Sequence, residues 1–340
     1  MKNLLVSSSK VFSSPISPNY LSKLTIKNQA TPKQRRNSRI CKQLFCQERK
    51  QDNYDYLKVN QITKDTLTVP DILFNTPNKC DLLKNGIEGK KLINVIGRGA
   101  FGTVIRGVYK DSVVAIKIIE NRKQSELREI NALSLHHENI VKTLDVVSNS
   151  NLNYSLVLME YYSNCLQLQQ VLESNQIISQ KQMLKFALDI CKGLEHCHKN
   201  NILHLDIKPK NVLVTENRCK LCDFGNSVAV DKLQDYIHQG TVIYTDPSIL
   251  IGKLPTRKSD IYSLGILLWQ LEFRKQPYEC FDNNETVIYK VVKCGLRPDS
   301  QNTSDYHDLF SKCWNSDAEQ RPEIEDVLQI LQTIYSVCEV

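Results

Sequence analysis

Gly97-Arg98-Gly99-Ala100-Phe101-Gly102-Thr103-Val104, running on through Ile105-Arg106-Gly107-Val108-Tyr109, is the stretch on which the fold turns. A G-x-G-x-x-G run that opens a helix belongs to dinucleotide-binding sheets; here it opens an alternation of apolar residues, the period of a strand. Ser112-Val113-Val114-Ala115-Ile116-Lys117 follows after Lys110-Asp111 and reads as the antiparallel partner, ending in a lysine. Together they remove the dinucleotide reading. Glycines 97, 99 and 102 let backbone amides approach phosphate oxygens without a side chain between, and Phe101 can cap the loop tip.

Moving outward, a helical stretch from Ser125 to Leu135 is followed by a strand, Tyr154-Ser155-Leu156-Val157-Leu158-Met159, and then a hinge at Glu160-Tyr161-Tyr162. Beyond the hinge Met183, Phe186, Ala187, Ile190, Leu194 and Cys197 recur at helical spacing and lead into His204-Leu205-Asp206-Ile207-Lys208-Pro209-Lys210-Asn211. Asp223-Phe224-Gly225 comes next. Ile261, Leu264, Leu267, Leu268 and Trp269 mark a highly apolar helix, and Ile324 to Val337 a last one. No internal repeat is present.

The order of these motifs supplies the parts needed to hold a nucleotide, two metal ions and a hydroxyl in line for phosphoryl transfer. The loop from Gly97 to Val104, with Ala115 and the hinge residues Glu160 and Tyr161, forms the expected nucleotide site. Lys117 is to contact the alpha and beta phosphates, its direction fixed by a helix carboxylate: Glu129 is the choice and Glu126 the alternative. Asp206 is to accept or orient the substrate hydroxyl, and Lys208 to neutralise the gamma phosphate. Asn211 and Asp223 supply the oxygen ligands that Mg2+ prefers.

The formal net charge of +7 over 340 residues is unevenly placed, since the first 50 residues hold 11 Lys or Arg against the single acid Glu48. Residues 1–85 are rich in Ser, Asn, Lys and Pro and read as a disordered basic tail. A transit peptide, a nuclear signal or a docking arm are the alternatives, with Pro15, Pro18 and Pro32 interrupting any long amphipathic helix. Basic charge without aromatic interleaving names no specific nucleic-acid partner. The apolar runs are far shorter than the roughly 20 residues that cross a bilayer, so no membrane span is expected. Twelve cysteines without framework spacing point to reduced thiols. Cys219-Lys220-Leu221-Cys222 has zinc-site spacing but lies on a strand, where residues three apart face opposite sides.

These residues resemble the protein kinase family over about residues 91 to 335. The resemblance implies an α+β bilobal fold, a small antiparallel-sheet lobe at 86–160 and a mainly helical lobe at 161–340, binding ATP with Mg2+. Lysine two residues after Asp206 is similar to serine/threonine kinases and not tyrosine kinases. His204-Leu205-Asp206-Ile207-Lys208-Pro209, with leucine before the aspartate, resembles the Mos family, as do Asp223-Phe224-Gly225-Asn226-Ser227, Lys232-Leu233-Gln234-Asp235 and Asp260-Ile261-Tyr262-Ser263-Leu264-Gly265. That family implies a monomeric cytoplasmic enzyme phosphorylating a mitogen-activated protein kinase kinase in a cascade that controls meiosis.

Departures from the kinase pattern set further expectations. Leu205 stands where most kinases carry an arginine balanced by an activation-segment phosphate, so activation by such a phosphate is not expected. Asp246-Pro247-Ser248 replaces Ala-Pro-Glu, leaving Arg321 to find Asp246, another acceptor, or none; restoring the glutamate at 248 is expected to stabilise the fold if Arg321 lies opposite. The missing glutamate also admits a pseudokinase that binds partners without turnover. Cys222, directly before Asp223, is expected on the pocket floor, its thiolate favoured by Lys117, unless it is an inert buried residue.

Overall fold

The computed structural model describes residues 56–58, 72–75, 95–99, 102–120, 123–148, 154–216, 218–237, 240–300 and 304–338. The expectations placed on residues 1–50 lie outside these. Seven described strands form one antiparallel sheet: β1 (Tyr56–Lys58), β2 (Ile72–Asn75), β3 (Val95–Gly99), β4 (Gly102–Tyr109), β5 (Ser112–Glu120), β6 (Thr143–Ser148) and β7 (Tyr154–Glu160). Their order is β1-β2-β4-β5-β7-β6, with β3 also on β4. The sheet thus begins ahead of residue 86, inside the span read as tail; strands of three and four residues are too short to show a period.

Alternation along β4 buries Ile105 and Tyr109 while Arg106 and Val108 stay half-exposed. Central β5 is buried continuously from Val114 to Ile119, so its one lysine is placed among aliphatic neighbours. The register sets Lys117 opposite Val104 on one side and Val157 on the other, two positions along from Gly102 on β4. Gly102 is required there for a reason beyond phosphate access. Its φ is +157°, and a Cβ would lie 2.2 Å from the Ile118 carbonyl oxygen.

Helix α1 (Lys123–Ile130) follows, shorter than the helical stretch read as far as Leu135. Asn131–Ser134 tightens into a 3-10 turn, with the Ser134 hydroxyl donating back to the Asn131 carbonyl and the Asn131 amide turned outward to Ser227.

The larger lobe is built on α2 (Leu168–Glu173), α3 (Gln180–Lys199), α4 (Pro247–Leu250), α5 (Arg257–Phe273), α6 (Asn284–Cys294), α7 (Asp305–Cys313) and α8 (Ile324–Val337). Ser179 caps α3 by accepting from the Gln182 amide. Helix α5 is buried on every side from Ser259 to Leu271, as its unbroken apolar run requires. It crosses α7 so closely that a Cβ on Gly265 would lie 2.8 Å from the Cys313 Cβ. Leu264, Leu267, Leu268, Phe310, Val327 and Leu331 are among the fully or nearly fully buried side chains of this core, each worth about 1.5–3 kcal/mol on burial.

Short strands hold the site. β8 (Leu166–Gln167), β10 (Val212–Val214) and β11 (Cys219–Leu221) make a three-stranded sheet, and β9 (Ile202–Leu203) pairs with β12 (Val228–Ala229). Leu203 faces Val228 in one pairing and Val212 faces Leu221 in the other. The loop carrying His204 to Asn211 and the loop carrying Asp223 to Gly225 are therefore hung from the same two ladders, which brings their side chains together.

Candidate active site

Two chain segments converge on Lys117 of β5. Its ammonium donates to Glu129 Oε1 from α1 and, at 2.7 Å, to Asp223 Oδ1. Glu129 is buried and the Asp223 side chain retains 22 % exposure, so Asp223 faces the cleft. Burial alone would lower the Lys117 pKa; the charges and hydrogen bonds of Asp223 and Glu129 outweigh it and hold the lysine charged, well above its ordinary value. Burial would likewise raise Asp223, but Lys117 brings it below the ordinary aspartate value. For Glu129 burial wins over Lys117 and raises the carboxyl, leaving Asp223 the firmer anion.

Asp206 lies in the loop after β9, buried, with its carboxylate held from three sides. Oδ2 accepts from Lys208 Nζ at 2.6 Å and from Asn211 Nδ2 at 2.7 Å, and Oδ1 accepts from the Thr241 amide at 3.4 Å. Lys208 also donates to the Thr241 hydroxyl at 2.6 Å. Asn211 spends its amide nitrogen on Asp206, donating to the backbone oxygen too at 2.9 Å. Its amide oxygen is thereby turned away from Asp206. That oxygen and the Asp223 carboxylate are hard donors suited to a divalent cation such as Mg2+.

The remaining expected nucleotide-site residues fall on the sheet and its exit. Gly97, Arg98 and Gly99 are in β3; Gly102, Thr103 and Val104 open β4, with Thr103 buried. Ala100 and Phe101 lie outside the described residues. Ala115 is buried on β5. Glu160 ends β7 and is exposed, accepting from the Tyr162 hydroxyl at 2.7 Å, while the Arg106 guanidinium stacks 5.1 Å from the Tyr161 ring centroid.

Backbone geometry in the two loops is demanding, with Leu205 at φ +58° and Asp223 at φ +66°, a region costly for side chains with a Cβ. Asp260, the fourth residue of α5, supports the first of these. Fully buried, it accepts from the His204 amide at 2.9 Å and the Leu205 amide at 2.7 Å, and contacts His198 Nε2 at 3.0 Å. The His204 ring meets the Cys222 carbonyl at 3.3 Å and lies against Phe224, tying the two loops together; burial pushes its imidazole below the ordinary value. Sequence reading gave Asp260 and Thr241 no such part. Each acts from 35 to 56 positions away, so nothing local marks them.

Leu205 is buried with Leu203, Val228 and Ile249, and Leu233 and Tyr236 pack on this group. An apolar contact thus joins the catalytic loop to the segment after Asp223, where a charged contact would need an arginine. Arg321 finds Asp246, through bonds of 2.8 and 3.1 Å, and donates further to the carbonyls of Asn315 and Lys258. The Cys222 thiolate expectation is overturned. Burial raises the thiol strongly, the Asp223 charge adds to it, and Lys117 opposes too weakly.

The description "Protein kinase domain" matches residues 91–331. The chain is 36% identical over 259 residues to the serine/threonine-protein kinase mos of Patiria pectinifera, covering 70% of this chain and 73% of that protein. It is 34% identical over 270 residues to the proto-oncogene serine/threonine-protein kinase mos of Rattus norvegicus (69% and 78%). To the serine/threonine-protein kinase mos of Gallus gallus it is 30% identical over 283 residues (72% and 80%). No helix among the described residues is long and apolar enough to cross a membrane.

Proposed function

The chain belongs to the Mos family of serine/threonine protein kinases, and from that premise we propose that it phosphorylates a mitogen-activated protein kinase kinase, using ATP and Mg2+. On this reading it works as a cytoplasmic monomer, and the cascade it feeds controls meiosis. The observation that carries the reading is the pairing of Lys117 with Asp223 and of Lys208 with Asp206, with the neutral Asn211 bonded to Asp206.

The roles follow from charge and reach. Lys117, held charged by Asp223 and Glu129, clamps the alpha and beta phosphates in a fixed direction. Asn211 and Asp223 would hold Mg2+, which when bound neutralises charge developing on the phosphates. Asp206, its carboxylate fixed by Lys208 and Asn211, aims the acceptor hydroxyl and takes its proton. Lys208 stands beside it to offset gamma-phosphate charge. The glycine loop, Ala115, Glu160 and Tyr161 hold the rest of the nucleotide.

The scaffold alternative was favoured by the missing glutamate at 248, and Asp246 fills that need for Arg321. The deciding experiment is phosphate transfer from labelled ATP to a panel of catalytically inactive mitogen-activated protein kinase kinases. Stoichiometric labelling of serine or threonine in one of them supports the reading. Labelling of generic acceptors alone would remove the substrate assignment, and no labelling of any acceptor would favour the scaffold.

A further inference from the structure

Ser227 is fully enclosed, four residues after Asp223, and its hydroxyl is engaged on both sides. It donates to the Arg128 carbonyl oxygen at 2.8 Å and accepts from Asn131 Nδ2 at 3.0 Å. A serine hydroxyl has one proton to give, so its donor is spent. The two partners stand on either side of Glu129 in the chain, Arg128 one position before it and Asn131 two after. One buried side chain of the larger lobe thus brackets the carboxylate that directs Lys117.

The two ends of this contact differ in how firmly they are held. Ser227 is fixed, because its amide donates to the Phe224 carbonyl at 2.9 Å and the next residue, Val228, pairs with Leu203 in the ladder of β9 and β12. Helix α1 has only eight residues, fewer than the about 12–15 at which an isolated helix becomes even marginal. Its two apolar side chains, Leu127 and Ile130, are exposed, so apolar burial does little to place it. The Arg128 carbonyl is among the last four of the helix, for which no intrahelical amide is supplied. Arg128 also donates to the Ile237 carbonyl at 3.0 Å, but Ile237 is itself exposed.

We propose that Ser227, together with Asn131, is a positioning residue for the Lys117 clamp, tying α1 to the segment that carries Asp223. Between Asp223 and Ser227 the chain passes Gly225, where a Cβ would lie 3.2 Å from both Asp223 Oδ1 and Glu129 Oε1 and 3.4 Å from Lys117 Nζ. The tied segment therefore lies directly against the three charges it organises. Without the tie α1 is free to draw Glu129 away from Lys117 while Asp223 stays in place. Use of this clamp on a nucleotide rests on the kinase reading above. Being neutral, the tie needs no phosphate, in keeping with the apolar contact at Leu205.

The test measures hydrogen exchange by mass spectrometry in the full chain, over the peptide spanning residues 123–134, for wild type, Ser227→Ala and Asn131→Ala. Exchange there should speed about fivefold or more in Ser227→Ala, the effect of stranding a buried polar group, and less in Asn131→Ala, with the peptides of α3 unchanged. Asn131 is half-buried, so its variant carries the test if Ser227→Ala does not fold. In turnover assays kcat/KM for ATP should fall by a similar factor in Ser227→Ala. The same change made in Glu129→Gln should have no further effect, because the serine acts through Glu129. Unchanged exchange across α1 in both variants overturns the proposal, whether or not the chain transfers phosphate. An equal loss of kcat/KM in the Glu129→Gln background also overturns it, since that marks general loosening. Faster exchange in a chain that transfers no phosphate supports the tie to α1 and removes the kinase reading instead.

Discussion

Asp246 holds Arg321 in a two-pronged buried pair, 2.8 Å to one guanidinium nitrogen and 3.1 Å to the other, with the arginine side chain fully enclosed. The same carboxylate accepts from the Ser248 amide at 2.9 Å and so begins α4. Moving the acid two positions earlier than in most kinases keeps the guanidinium satisfied.

Removing one partner of such a pair strands the other. Asp246→Asn should cost about 3–5 kcal/mol, read as a lowered midpoint in urea. Ser248→Glu, expected from sequence to stabilise if Arg321 lay opposite, should give an unchanged or lower melting temperature, because four of the five guanidinium N–H groups already have acceptors and both outer nitrogens are engaged by Asp246. A higher melting temperature for Ser248→Glu would contradict the assignment.

The Asp246 carboxyl is held below its ordinary value of 3.8: burial opposes ionisation, but the Arg321 bonds and charge more than offset it. With the folded value depressed, the unfolded chain binds the proton first. The pair's contribution is therefore complete above pH 3.8 and is lost as pH falls through the lower folded value. Urea midpoints of wild type and Asp246→Asn should converge as pH drops below that point; a constant gap down to pH 2 would count against the linkage.

Leu205 is enclosed by apolar side chains, so Leu205→Arg, which matches the common kinase residue, should be harmful here. Burying an unpaired guanidinium costs several kcal/mol unless the side chain escapes to solvent. Calorimetry should show a melting temperature lowered by several degrees, whereas Leu205→Met should be nearly neutral. Equal melting temperatures for Leu205→Arg and wild type would refute the packing role.

Asp260→Asn replaces an acceptor of two consecutive amides with a group that accepts through one atom only. Charged hydrogen bonds of this kind contribute about 1.5–3 kcal/mol. Because the lost bonds hold the His204 and Leu205 amides, which lead directly into Asp206, turnover should fall while the KM for ATP stays near wild type. A change confined to KM would place the role of Asp260 elsewhere.

Cys222, with its thiol raised by burial and Asp223, should resist alkylation at pH 8. Iodoacetamide mapping by mass spectrometry should find exposed Cys280 and Cys294 modified well before it. Faster labelling at Cys222 would restore the thiolate expectation.

What could be read from the chain was chemistry confined to short stretches. Phosphate and metal impose residue types at fixed local spacings, so the glycine loop, Lys117, Asp206, Asn211 and Asp223 stand out in order, and the periods around Val114 and Ile190 give the lobes. The contacts that hold them in place were hidden, since Asp260 meets Leu205 across 55 positions and Asp246 meets Arg321 across 75. For Cys222 the sequence left two readings open, an activated thiolate and an inert packed residue; desolvation of the partly buried thiol, with the Asp223 charge beside it, favours the second. Strands β1 and β2 were missed because they are held by pairing with their neighbours and are too short to show a period of their own.

The most direct test of the account is the paired measurement of nucleotide affinity and turnover in Asp206→Asn. On the proposed reading the residue serves the acceptor hydroxyl, and it is held by Lys208 and Asn211, not by Lys117. Affinity for Mg-ATP should stay within a few-fold of wild type while phosphate transfer falls by at least about a hundredfold. Near wild-type transfer by Asp206→Asn, in a preparation free of contaminating kinase, would contradict it.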